Sequence, residues 1–94
     1  MEELYNQLAA LARRHGARRL VLFGSRARGD NRYNSDIDLA VYGMPESRRA
    51  EFWLDCEELP TLLKFDIVHI KEGMDPAFLA NIEREGVMLY ASED

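Results

Sequence analysis

A single cysteine, Cys56, leaves no partner for an internal disulfide and no second thiol for a structural zinc site. A reducing compartment fits that composition, and Cys56 itself reads as a small apolar helix residue. No apolar run approaches the roughly 20 residues that a membrane helix needs. The opening Met1-Glu2-Glu3-Leu4 lacks the basic-then-apolar order of a secretion signal, so a cytoplasmic protein without membrane contact is expected. Internal repeats and low-complexity linkers are also missing. With 94 residues, 47% of them hydrophobic, the chain can bury one modest core, and one domain over 1–94 is expected. An excess of basic charge is lacking too. The net charge of −5 disfavours nucleic acid as a partner, because neutralised phosphates supply most of that affinity.

The charge that is present is unevenly placed. Residues 1–34 carry seven arginines against Glu2, Glu3 and Asp30, a net of +4, whereas residues 35–94 carry a net of −9. Anion-attracting arginines therefore precede a stretch rich in cation-attracting carboxylates, and a metal–nucleotide complex needs both. Arg13, Arg14, Arg48 and Arg49 are read more simply, as residues that solvate helices.

Hydrophobic periodicity sets the elements. Leu4, Leu8, Leu11 and Ala12 recur at helical spacing between Glu3 and His15, with Gly16 as C-cap. Leu20-Val21-Leu22-Phe23 is a continuous apolar run, a strand buried on both faces. Ser25 to Arg28 forms a helical turn with Ser25 as its expected N-cap. Asp36 to Tyr42 alternates, so Ile37, Leu39 and Val41 share one face while Asp36 and Asp38 project from the other. Glu46 to Leu59 reads as a helix with Ala50, Trp53, Leu54 and Glu57 near-periodic, ended by Pro60. Phe65 to Ile70 is a third strand. Asp75-Pro76 opens a last helix over Phe78, Leu79 and Ile82, and Val87 to Tyr90 is a fourth strand. The fold expected is an α/β (α+β) sandwich with a mixed sheet of about four strands flanked by helices, the strand directions being left open.

Three acids interrupt apolar strand patterns: Asp36, Asp38 and Asp66. Aspartate is depleted in strands, and an unpaired carboxylate there is costly, so something must compensate the charge. Asp36 and Asp38 lie about 7 Å apart along one strand face, from the ~3.3 Å rise per residue, close enough to share bound cations. If Asp66 joins them from a neighbouring strand, three carboxylates give the oxygen-only set that magnesium prefers. Two such ions about 3.5–4 Å apart could bridge a triphosphate. Upstream, Gly24 lets backbone approach a phosphate, Ser25 adds a hydroxyl, and first-turn amides point at an anion. Arg26 and Arg28 do not share a helical face, so one of them is expected at the phosphates, and Arg26 is the choice. The lysine and glycine spacing of a P-loop are missing. Tyr33 could stack on a base, although a loop tyrosine more often covers a neighbour. His15 is read as answering a helix dipole and His69 as a packed or bonded histidine on the face opposite Asp66. Phe52, Trp53 and Phe78 are expected in the core or on a partner-facing surface.

Gly24-Ser25, ten intervening residues and then Asp36-Ile37-Asp38-Leu39 resemble the signature of the polymerase-beta-like nucleotidyltransferase superfamily. Asp66 in Phe65-Asp66-Ile67-Val68 resembles its third acid. The run from Leu22 to Asp30 with Ser35 to Val41 is especially similar to the minimal nucleotidyltransferase group, over nearly the whole chain. That resemblance implies that Asp36 and Asp38 bind both metals and Asp66 the catalytic one, with Gly24 and Ser25 gripping the triphosphate. It further implies an antitoxin paired with a HEPN-family toxin in a hetero-oligomer. The implied activity is transfer of a nucleoside monophosphate, AMP from ATP with Mg2+, to a protein hydroxyl. A non-catalytic antitoxin that neutralises a HEPN ribonuclease by direct binding is the alternative, and template-free addition to RNA is the weaker third.

Overall fold

The computed structural model describes residues 1–93. Eight elements follow one another: α1 (Glu2–Arg14), β1 (Arg19–Phe23), α2 (Ser25–Arg28), β2 (Ile37–Tyr42), α3 (Glu46–Glu57), β3 (Phe65–Ile70), α4 (Pro76–Glu85) and β4 (Val87–Ala91). The strands form one sheet in the order β3-β2-β1-β4. β1 runs antiparallel to both β2 and β4, whereas β2 and β3 are parallel, joined through α3. The directions that the sequence left open thus resolve as a mixed sheet. β1 and β2 are the two inner strands, and in β1 Leu20, Val21 and Leu22 are accordingly buried on both faces.

One face of the sheet carries the main core. Leu20, Leu22, Ile37, Leu39 and Val41 meet Leu4, Leu8 and Ala12 of α1 and Phe52 and Cys56 of α3. Burying apolar surface here is the principal stabilising term, about 25 cal/mol per Å2 removed from water. The second face is thinner. Val21, Ala40 and Ile82 form its buried cluster, with Phe23, Tyr42, Ile70 and Phe78 packed around them. α4 is the helix on that side, capped by Asp75, whose carboxylate accepts from the Ala77 amide, with Pro76 at its first turn.

Three expectations are corrected. The inner stripe of α3 is Phe52 and Cys56, while Ala50, Trp53 and Leu54 face outward, Trp53 with 49% of its surface exposed. Two buried residues four apart suffice to seat the helix, whose outward faces mix charged residues with Ala50, Trp53 and Leu54. Ser25 is the first residue of α2 rather than its cap; Gly24 takes the cap position with φ 76°, and no side chain caps the turn. That left-handed backbone suits glycine and strains a serine. Arg48 and Arg49 do not merely solvate α3. Arg48 donates to the Arg14 carbonyl at 3.0 Å, and Arg49 Nε to the Met44 carbonyl at 3.3 Å, so both tie α3 to its neighbours.

His15 is 3% exposed, and its Nε2 lies 2.7 Å from the Asp55 carboxylate on α3. Its ring also meets Phe52 edge-on, with centroids 5.9 Å apart. His15, rather than the expected Gly16, takes the C-cap position of α1, and its main partner is a carboxylate forty positions away. Among the described residues, no helix is long and apolar enough to cross a membrane.

Candidate active site

The sheet's second face turns polar at one end. Asp38 lies directly opposite Asp66 in the parallel register of β2 and β3, so both side chains project from the same face, beside Phe23 on β1. Asp36 stands one residue ahead of β2 and is exposed, as is Asp66, while Asp38 is half-buried. The predicted polar face is therefore polar at its N-terminal end only. Two residues further on, Ala40 is fully buried, under the cluster that includes Ile82 of α4.

Burial lifts the Asp38 carboxyl above its ordinary range; the charges of Asp66 and then Asp36 push the same way, and only Arg28 opposes them. This is a site short of positive charge. Oxygen-only donors, mutual repulsion and partial burial together suit a hard divalent cation. Asp36, Asp38 and Asp66 are the residues that could hold it. Among the described residues, no three His, Cys, Asp or Glu side chains already stand close enough to form a closed cage. Like charges without a counter-ion are expected to stay apart, and the register that aligns Asp38 with Asp66 is a backbone property that side-chain spread does not alter.

Gly24 meets this carboxylate edge directly. A side-chain carbon at Gly24 would overlap an Asp38 carboxylate oxygen, so a larger residue would push that carboxylate aside, in addition to the strain imposed by the positive φ. The end of β1 thus lies against Asp38, with Ser25 and the first turn of α2 following directly, and the first amides of a helix have no partner within it. Within α2 the two arginines divide. Arg26 donates through Nε to the Ser35 carbonyl at 3.0 Å and through its terminal nitrogen to the Tyr33 carbonyl at 3.2 Å. It is thus tied to the loop that delivers Asp36. Arg28 reaches Asp30 at 3.2 Å and Glu85 of α4 at 3.5 Å, and its charge bears on Asp38. Sequence reasoning chose Arg26 over Arg28, and nothing local to α2 could have shown which one was held by loop carbonyls.

The residue family matched over 6–94 is polymerase beta, nucleotidyltransferase. The chain belongs to this family. No curated protein matches the chain. Among solved structures, this nucleotidyltransferase is similar to one described as a minimal nucleotidyltransferase, at 34% identity and TM-score 0.72, over 92% of this chain and 89% of that one. It shares its fold with a toxin–antitoxin crystallised with AMP-PNP, at 23% identity and TM-score 0.72, over 95% and 74% of the two chains. A mutant of the toxin–antitoxin MntA–HpeT is similar at 21% identity and TM-score 0.71, with the same coverage of 95% and 74%.

The remaining sequence candidates fall outside the acid cluster. Tyr33 covers no neighbour, for 91% of its surface is exposed. It lines an open cleft of about 560 Å3 with Asn34, Asp36, Leu62, Leu63 and Lys64. His69 is half-buried on the face opposite Asp66, pairing in register with Val41. Its Nδ1 has no hydrogen-bond partner, and burial followed by the Arg49 charge lowers its pKa. It is a packed residue, away from the acids.

Proposed function

We propose that this nucleotidyltransferase takes ATP with Mg2+ and transfers AMP to a hydroxyl of a partner protein, acting as the antitoxin of a toxin–antitoxin pair whose toxin is of the HEPN family. The observation that carries the reading is the alignment of Asp38 with Asp66 on one face, with Gly24 packed against the Asp38 carboxylate. Asp36 and Asp38 would hold both ions, and Asp66 the one nearer the acceptor. Bound magnesium supplies charge neutralisation of the triphosphate and activation of the attacking oxygen. Gly24 and Ser25 grip the phosphates by close backbone approach and a hydroxyl. Arg28, whose ties to Asp30 and Glu85 are on the exposed surface, supplies the cationic donor to the triphosphate, while Arg26 holds the loop ahead of Asp36.

In the transfer, the acceptor oxygen forms a bond to the α-phosphorus as the bond from that phosphorus to the bridging oxygen breaks. Pyrophosphate leaves with the bonding electrons, and the hydroxyl proton passes to a carboxylate of the acid set. Similarity to toxin–antitoxin structures, one of them holding AMP-PNP, supports both the nucleotide and the partner. The test is to incubate the protein with labelled ATP, magnesium and the protein encoded by the adjacent gene. Label is expected on that protein, and Asp36→Asn with Asp38→Asn should lower transfer about a thousandfold or more, several kcal/mol of transition-state stabilisation. Equal neutralisation of the toxin by both forms, without label, would contradict catalysis and support direct binding.

A further inference from the structure

Along one end of the sheet the site has a fixed order. Gly24 and Ser25 follow β1, Asp36 stands just ahead of the neighbouring β2 and Asp38 lies within it, Asp66 is on β3, and the segment 59–64 leads into β3 beyond it. In phosphoryl-type transfer the attacking and leaving oxygens lie roughly in line across the phosphorus. With the leaving pyrophosphate cradled on the β1 side, the attacking hydroxyl must arrive from the β3 side. On that side of Asp36 lies the open cleft of about 560 Å3 lined by Tyr33, Asn34, Leu62, Leu63 and Lys64.

Its apolar side chains are offered outward from fixed backbone. Leu62 is fully exposed and Tyr33 is 91% exposed. The Tyr33 loop is nevertheless closed on itself and on α2: Arg26 holds the carbonyls of Tyr33 and Ser35, and the Arg32 amide donates to Ser35 Oγ at 2.9 Å. The Leu62 segment carries a local turn bond, the Leu63 amide donating to Thr61 Oγ1 at 3.1 Å, and Leu63 beside Leu62 packs against the main core. Large apolar side chains kept in water by an ordered backbone mark an interaction surface, and an aromatic beside a leucine is the kind of anchor that carries binding energy.

Resting on the transfer reading above, we infer that this cleft is the docking surface for the acceptor-bearing segment of a partner polypeptide. The segment would place an apolar side chain between Tyr33 and Leu62 and present its hydroxyl across Asp66 to the α-phosphorus. Charge favours a polypeptide over RNA. Among the described residues lining the cleft, Lys64 is the one cation, against Asp36 within it and Asp38 and Asp66 beside it, so the local charge opposes a long phosphate backbone and favours neutral or basic flanking residues.

The test is a Tyr33→Ala, Leu62→Ser double variant, both positions being exposed so that the melting temperature should stay at the wild-type value. The adjacent-gene protein and an ATP analogue with magnesium are each titrated by calorimetry into wild type and variant, and transfer of label is measured in parallel. Binding of the partner protein should weaken about tenfold or more, with affinity for the ATP analogue changed less than about twofold and transfer recovering at high partner concentration. Unchanged partner affinity overturns the docking surface, as does a loss confined to the ATP analogue, which would make the cleft a base site. Competition by single-stranded RNA in wild type but not in the variant would overturn it in favour of RNA. Failure of transfer in both proteins with partner binding still lost only in the variant would contradict the enzymatic reading and leave the docking surface standing.

Discussion

The two faces of the sheet are built from the same strands and do opposite things. Under α1 and α3, Leu20, Leu22, Ile37, Leu39 and Val41 close onto a continuous core. Under α4, the buried cluster is reduced to Val21, Ala40 and Ile82, and the face then gives way to Asp38 and Asp66. Carboxylates could not be carried on the first face without forfeiting the core, and the second can carry them because α4 covers only part of it. Stability is thus concentrated on one side of the sheet and strain of like charge on the other.

Phe52→Ala should break the comparison hardest, since Phe52 is fully buried between α3 and the sheet and its loss leaves a cavity. A destabilisation of about 3–5 kcal/mol is expected by thermal or denaturant unfolding, against about 2 kcal/mol for Ile82→Ala on the thinner face. Equal costs would mean that both faces support the fold alike. A change of opposite sign is expected at Asp38. Its raised carboxyl pKa means that the fold holds the proton more tightly than the unfolded chain, so metal-free stability falls as pH rises through the ordinary carboxylate range and above it. Asp38→Asn removes that loss and should raise the metal-free melting temperature at pH 7, and the further rise expected of the wild type on adding magnesium should be absent. A fall in melting temperature would show that the carboxylate is needed by the fold itself. The smallest effect is chemical. Burial, reinforced by Asp55 and Glu57, leaves the Cys56 thiol pushed up to about 12, so at pH 8 an alkylating reagent should label it only as fast as the protein unfolds. Rapid labelling of the native protein would show that α3 opens from the main core.

The parts of the fold legible in the sequence are those set by local pattern. Apolar runs and alternation placed all four strands, and Asp36, Asp38 and Asp66 stood out because each interrupts a strand pattern. Gly24 was legible as a close-approach glycine, although the packing of Asp38 against it depends on the antiparallel partner strand. What escaped was decided at long range. The inward choice of Phe52 and Cys56 follows from what α3 meets, not from its own periodicity. His15 finds Asp55 across two helices. Arg26 is claimed by carbonyls of residues 33 and 35, so the arginine whose charge bears on Asp38 is Arg28, a division visible only once the loop is folded.

Calorimetric titration of a non-hydrolysable ATP analogue, with and without magnesium, bears most directly on the claim that Asp36, Asp38 and Asp66 gather divalent cations beside Gly24 and Ser25. Wild type is expected to bind the analogue only with magnesium, and the Asp36→Asn, Asp38→Asn form to lose that uptake while keeping its fold. Binding that ignores the metal, or that survives the double substitution unchanged, would contradict the account.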